Sequence, residues 1–228
     1  MRTQGKQTSL ASGVLAWTLL ITAALGTWSA ANGNPFFDFY GYSYLDGPAF
    51  TAGTVTTIPM LFDPVQPEPV LPLDLATNEY TVLVSDLVIE SVQVTGPVTA
   101  VTYAGGTIRV FEDPARNAVW QWNPPNAQVP ATFQDGVLIL EGRVTDGSLV
   151  WNGPGLSGVF QGHVDFTGGT KLDQIGDPAQ WLFFGGTASG PFGGEPEGYD
   201  MAWDPQLLAP APVATRPASW GAIKGLYR

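Results

Sequence analysis

Hydrophobic and polar residues alternate with a period of two along most of the chain. In the segment FFDFYGYSYL (36–45), Phe37 and Phe39 fall on one face, and Asp38 and Tyr40 fall on the other. This alternation is typical of a half-buried β-strand, because successive side chains of a strand point to opposite faces. The same alternation, or a run of β-branched residues, recurs in segments 50–62, 78–96, 98–113, 131–147, 156–169 and 181–190. The sequence therefore predicts an all-β body without amphipathic helices.

Glycine and proline separate these segments. The chain contains 28 glycines and 20 prolines without a collagen-like period, which suits many short strands joined by turns. Gly105–Gly106 is a common hairpin dipeptide, and the Asp-Gly pairs in 45–47, 134–136 and 145–147 are also typical of turns. We therefore expect roughly eight to ten short strands in an antiparallel β-sandwich, with a β-barrel as the alternative.

Three segments do not fit the strand pattern. Segment 63–74 contains four prolines in twelve residues and predicts an extended connection. Segment 113–130 predicts a long loop that carries Trp120 and Trp122. Segment 207–219 is rich in proline and alanine and predicts a semi-rigid linker at the end of the domain.

The first 31 residues have the pattern of a secretory signal peptide. Arg2 and Lys6 precede the apolar run 13–26, and the small residues 29–31 provide a cleavage site after Ala31. An uncleaved anchor over residues 10–31 is the alternative, since that stretch is uncharged and long enough to span a bilayer. The sequence therefore predicts export to the periplasm, the cell surface or the medium, with no membrane span after cleavage.

Charge and cysteine content exclude several classes of protein. The net charge is −11, and only four basic residues lie between 32 and 204, so nucleic-acid binding is disfavoured. The chain has no cysteine, which excludes disulfides, thiolate catalysis and cysteine-ligated metal sites. Acidic residues beside glycines could bind Ca²⁺, but the sequence has no calcium-loop signature. We therefore expect no cofactor and assign no metal ligands.

No set of residues predicts a catalytic site. His163 is the single histidine, and on a strand it shares a face with Asp165, but no G-x-S-x-G motif accompanies it. A half-exposed strand histidine beside a solvated carboxylate is the simpler interpretation. Glu90, Glu112 and Glu141 lie on or at the ends of predicted strands, but no pair of carboxylates stands out as a glycosidase pair. We therefore predict no catalytic residue.

Aromatic residues offer the more plausible chemistry. Six tryptophans follow the signal segment, and Trp120 and Trp122 would project to the same side of an extended loop. With Tyr40, Tyr42 and Tyr44, such rings could form a platform for stacking a glycan, because they combine apolar area with a polar group. Packing in the core or on the sheet is the alternative role. We predict Trp120 and Trp122 as candidate ligand-binding residues.

The last ten residues, SWGAIKGLYR, predict a separate tag. Trp220, Ile223 and Tyr227 would share one face of a short helix, and Lys224 and Arg228 could meet anionic partners. The ending resembles short W-G-x-I-K-x-L-Y-R endings of secreted bacterial proteins, which implies recognition by export or sorting machinery. It departs from Pro-Glu-Pro-type and LPxTG signals, because it has neither a transmembrane helix nor the LPxTG motif.

The body carries a second resemblance. Segments such as GGTIRVFEDP, ATFQDGVLILEGRV and GVFQGHVDFTGGTKLDQI resemble those of exported bacterial β-proteins of no known activity. This resemblance, over about residues 78–207, implies an exported all-β domain and assigns no functional residue. The expected organisation is a signal peptide (1–31), one β-domain (32–207), a linker (208–218) and a tag (219–228). We expect a non-catalytic structural or binding module, with a carbohydrate-binding or glycoside-processing domain as the alternative.

Overall fold

The protein is an antiparallel β-barrel. The computed structural model describes residues 35–62, 71–120, 131–190 and 194–210; the signal segment, the linker and the tag lie outside them. Nine strands are present in these ranges: β1 (Pro35–Asp46), β2 (Val55–Phe62), β3 (Glu79–Thr95), β4 (Val98–Ala104), β5 (Thr107–Asp113), β6 (Val137–Asn152), β7 (Ser157–Gly168), β8 (Trp181–Ala188) and β9 (Met201–Leu208). Two single-turn 3-10 helices, Ala131–Phe133 and Leu172–Gln174, precede β6 and follow β7.

The sheet closes because β1 pairs with both β2 and β9. Phe39 is opposite Phe62 on β2, and Phe37 is opposite Leu207 on β9. From β9 the order continues through β8, β7 and β6 to a position that β4 and β5 share, and then through β3 to β2. Eight positions surround the axis, since β4 and β5 share one of them. The all-β prediction is confirmed, and of the two architectures considered the barrel, named as the alternative, is the one observed.

β4 and β5 form one interrupted strand. β4 pairs antiparallel with the second half of β3, and β5 pairs antiparallel with its first half. The hairpin prediction at Gly105–Gly106 was wrong, because the chain does not reverse there and both parts also pair with β6. The reversal occurs instead at Gly96–Pro97, where Thr95 is opposite Val98.

Aromatic and branched side chains fill the interior of the barrel. Phe37 and Phe39 on β1 are 1% and 0% exposed, as their alternation predicted. Phe160 packs edge-on against Phe183 and Trp203, with ring centroids 5.4 and 5.5 Å apart. A barrel of eight positions is just wide enough to be filled by side chains, and this core explains how a chain without disulfides is stabilised.

Candidate functional site

Tyr40 and Tyr42 lie on the outer face of β1, opposite to the buried Phe37 and Phe39. The ring of Trp120, in the loop after β5, lies 5.8 Å from that of Tyr40 and 5.1 Å from that of Tyr42. Tyr199 extends the group, with its ring 5.7 Å from that of Tyr42. We call these four residues the outer aromatic cluster. The structure thus brings together three residues that the sequence predicted as parts of one platform.

Two described segments on either side of residues 121–130, which we together call the strap (residues 114–120 and 131–136), position Trp120 outside the barrel. The amide of Ala118 donates to Oε1 of Glu79 at 2.9 Å, and the hydroxyl of Thr81 donates to the carbonyl of Phe133 at 3.0 Å. The ring of Phe133 is fully buried and lies 5.2 Å from that of Trp120. The described parts of the strap are therefore fixed to β3 on both sides of Trp120.

The rings of the cluster pack against each other at an angle. Trp120 is tilted by 40° from the ring of Tyr40 and by 83° from that of Tyr42, both ordinary geometries for aromatic pairs. Tyr40 is 43% exposed, whereas Trp120 is half-buried. Tyr40 therefore presents the accessible ring, and Trp120 also anchors the strap. Trp122 lies outside the described residues.

A second surface feature lies where β6 passes from pairing with β4 to pairing with β5, because the strands are not paired in between. Pairing continues to Thr102 opposite Ser148 and resumes at Thr107 opposite Arg143. Within the opening, the amide of Val144 donates to the carbonyl of Gly106 at 3.0 Å. The result is a depression of about 760 Å³, lined mainly by residues 102–107 and 143–148. We call it the wall cleft.

Three strand irregularities surround the wall cleft. β3 has an extra residue relative to β4 at Glu90, between Ile89 opposite Tyr103 and Ser91 opposite Thr102. β6 has an extra residue relative to β7 at Asp146–Gly147, and Asp146 has a φ of +53°. β3 also bulges relative to β2 near Asp86, whose φ is +59°. Bulges redirect side chains and are enriched near active sites. The Asp-Gly pair at 146–147, expected as a turn, lies inside β6.

The wall cleft has a polar rim and a buried floor. Glu90, Arg143 and Asp146 on the rim are exposed, whereas Tyr103 and Val144 on the floor are buried. Burial raises the pKa of the Tyr103 phenol well above its ordinary value of 10.0. The phenol of Tyr103 therefore keeps its proton to a higher pH than an exposed tyrosine does. Nothing in the sequence pattern brought these segments together, because both were interpreted as turns.

The partners of His163 and of the strand carboxylates differ from those that the sequence suggested. Asp165 accepts a hydrogen bond from the amide of Gln180 at 2.8 Å, whereas Nδ1 of His163 is 4.0 Å from Oδ2 of Asp146. Glu141 pairs with Arg109 at 2.8 Å, and Glu112 pairs with Lys171 at 2.5 Å. These last two carboxylates join neighbouring parts of the barrel, whereas Glu90 lines the wall cleft.

Across the described ranges, no group of three or more His, Cys, Asp or Glu side chains is arranged to hold a metal ion. Calcium therefore has no assigned site in this part of the chain. Over the same ranges, no helix has the length and apolar character needed to cross a membrane.

The sorting-tag residues Trp220, Ile223, Lys224, Tyr227 and Arg228 lie outside the described residues, so their role stays a prediction. Comparison of the chain with protein-family models, curated proteins and solved structures found no match.

Proposed function

We propose that the barrel is a non-catalytic binding module of an exported protein and that its ligand is a glycan. The outer aromatic cluster is the observation that carries this proposal. Tyr40 is 43% exposed on β1, its ring packs against that of Trp120, and Trp120 packs in turn against Tyr42. An exposed ring held in place by other rings offers apolar area to a sugar at little cost in side-chain entropy.

The charge of the protein agrees with such a ligand. An overall net charge of −11 disfavours polyanions, whereas a neutral polysaccharide meets no electrostatic barrier. A structural role without any ligand is the simpler alternative, since Trp120 also anchors the strap. A glycoside-processing activity would need two carboxylates facing a common cleft. The outer aromatic cluster contains none, and the two carboxylates that do share a cleft, Glu90 and Asp146, line the separate wall cleft.

Substitution of Tyr40 tests the proposal. Affinity electrophoresis of the full chain through gels containing neutral polysaccharides should show retardation, and Tyr40→Ala should reduce it. Loss of one stacking ring is expected to weaken binding by about tenfold, corresponding to about 1.4 kcal/mol. Val159→Ala serves as the control, because Val159 is also partly exposed (36%) on a strand of the barrel.

Trp120→Ala separates binding from anchoring. If the cluster is only an anchor for the strap, Trp120→Ala lowers the melting temperature while Tyr40→Ala changes neither stability nor migration. Unretarded migration of the unmodified chain in every neutral polysaccharide would contradict the proposal.

A further inference from the structure

We propose that the wall cleft is a second, separate sugar site, which holds a neutral monosaccharide unit through pairs of adjacent hydroxyl groups. The inference takes its ligand class from the proposed function, but it concerns other residues. The order of strands places β1 with the outer aromatic cluster and β6 with the wall cleft four positions apart in an eight-position barrel. The two sites are therefore on opposite sides of the barrel.

The dimensions of the wall cleft suit a small ligand. Its volume of about 760 Å³ is within the usual range for small-molecule sites, about 300–1,000 Å³. The opening extends over five residue steps, from Thr102 and Ser148 to Thr107 and Arg143, which is roughly 17 Å along the strands. The space is therefore long enough for a sugar ring and one substituent.

The two carboxylates of the rim are placed there by the backbone. Glu90 and Asp146 each occupy a bulge, and Asp146 adopts a left-handed conformation that is uncommon for a residue other than glycine. Such conformations are energetically unfavourable and concentrate at functional sites. A carboxylate with two acceptor oxygens can receive hydrogen bonds from two neighbouring hydroxyls of one sugar.

Arg143 supplies the complementary donor. Of the four basic residues between 35 and 210, Arg109 and Lys171 form ion pairs, and Arg116 donates to the carbonyl of Ala76. The guanidinium of Arg143, in contrast, makes neither an ion pair nor a hydrogen bond within the described residues, although Arg143 lines the cleft. Its guanidinium is a planar fork of donors, which can serve two adjacent hydroxyl oxygens.

One polar side-chain atom in the lining of the cleft lacks a hydrogen-bond partner within the described residues. Oγ1 of Thr145, in the lining, is buried and makes no hydrogen bond within the described part of the chain. His163, opposite Thr145, is outside the lining; its Nδ1 is also buried without a hydrogen bond in this part and lies 4.0 Å from Oδ2 of Asp146. A buried polar atom without a hydrogen-bond partner is unfavourable, so a ligand or water that reaches Oγ1 of Thr145 is favoured.

The charges favour a neutral ligand over an anion. Glu90 and Asp146 oppose the single guanidinium of Arg143, so a phosphate or a uronic acid would add to an already negative rim. A neutral sugar needs no counter-charge and can use both the acceptors and the donor. We therefore expect D-glucuronate to bind more weakly than D-glucose.

Amide chemical shifts of the isotopically labelled full chain test this assignment. Titrations with D-glucose, D-galactose and D-mannose should shift resonances of residues 102–107 and 143–148 with at least one sugar. 1,4-Butanediol, whose hydroxyls are not adjacent, should leave them unchanged. Arg143→Gln and Glu90→Gln should each weaken the response by about tenfold, because each removes a charged hydrogen-bonding group.

Glu197→Gln is the matched control, since Glu197 is exposed and does not line the cleft. The inference is overturned if none of the three sugars shifts these resonances, or if Arg143→Gln leaves the response intact. Retardation that depends on Tyr40 but without shifts at the cleft would overturn this inference and leave the proposed function standing. The opposite result, shifts at the cleft with no role for Tyr40, would support the second site and contradict the first.

Discussion

Tyr103 shows how burial in the closed barrel changes the pKa of a single side chain. Because burial raises its pKa above 10.0, the folded state retains the phenol proton at a pH where the unfolded chain loses it. Stability should therefore fall as the pH rises above 10.0, the ordinary pKa of tyrosine. Tyr103→Phe should reduce this alkaline loss, measured as the melting temperature between neutral and alkaline pH.

Tyr44→Phe is the control for Tyr103→Phe, because Tyr44 is half-buried on the outer face of β1 and leaves Tyr103 in place. Burial also raises the pKa of Tyr80, so the variant should keep part of the alkaline loss. An alkaline profile identical to that of the unmodified chain would show that Tyr103 is not protected from solvent.

Gly185 is required by the close approach of β8 and β9. A Cβ atom at Gly185 would collide with the backbone of Pro205, whereas a Cβ at Gly186 would meet nothing within 4 Å. Gly185→Ala should therefore destabilise the barrel by about 1–3 kcal/mol, the usual cost of overpacking. Denaturant unfolding measures the difference, with Gly186→Ala as the neighbouring control. Equal midpoints for the two variants would contradict the expected collision.

At the scale of single residues, the sequence pattern correctly predicted which side chains of a strand face the interior. It did not predict the role of the residues with positive φ. Phe37 and Phe39 were assigned to one face from alternation alone, because a strand has a fixed period. Gly105–Gly106 and Asp146–Gly147 were interpreted as turns, because the same residue types favour positive φ in a turn and in a bulge. Only pairing with distant strands distinguishes the two, and here both pairs line the wall cleft.

The strap is the element whose attachment can be tested most directly. Thr81→Val preserves shape but removes the hydrogen bond to the carbonyl of Phe133, which is then left buried without a partner. We expect a loss of about 1–3 kcal/mol in the free energy of unfolding. Thr95→Val is the control, since Thr95 is an exposed residue of the same strand. Equal losses for both variants would contradict the attachment.

Among the strands, β9 was the one that the sequence did not predict. Its Pro205 cannot donate to a ladder, and proline is rare in a strand with neighbours on both sides. β9 nevertheless pairs with both β1 and β8, and Gly185 stands opposite Pro205. The sandwich and the barrel could not be separated from sequence for the same reason, because β9 is the strand that closes the sheet.

At the scale of the whole molecule, the proposed export can be tested by fractionation. The full chain and a version ending at Pro210 would be expressed in a bacterial host, and intact masses measured for each cell fraction. We expect cleavage after Ala31 in both and different final locations, because the tag is proposed to be read by sorting machinery. Identical partition with Arg228 retained would contradict the sorting role.

The barrel can close only late in synthesis, because its first strand pairs with its last. Pro35 of the first strand is opposite Leu208 of the last, so the ring cannot join until nearly all of the barrel sequence has been synthesised. Until then β1 has an unpaired edge, which is a template for wrong pairing with other chains. The same adjacency has a second consequence. Joining the two ends of the barrel sequence and opening the chain at Gly96–Pro97 should give a circular permutant that keeps all strand pairs. In this permutant, β1 is synthesised in the middle of the chain.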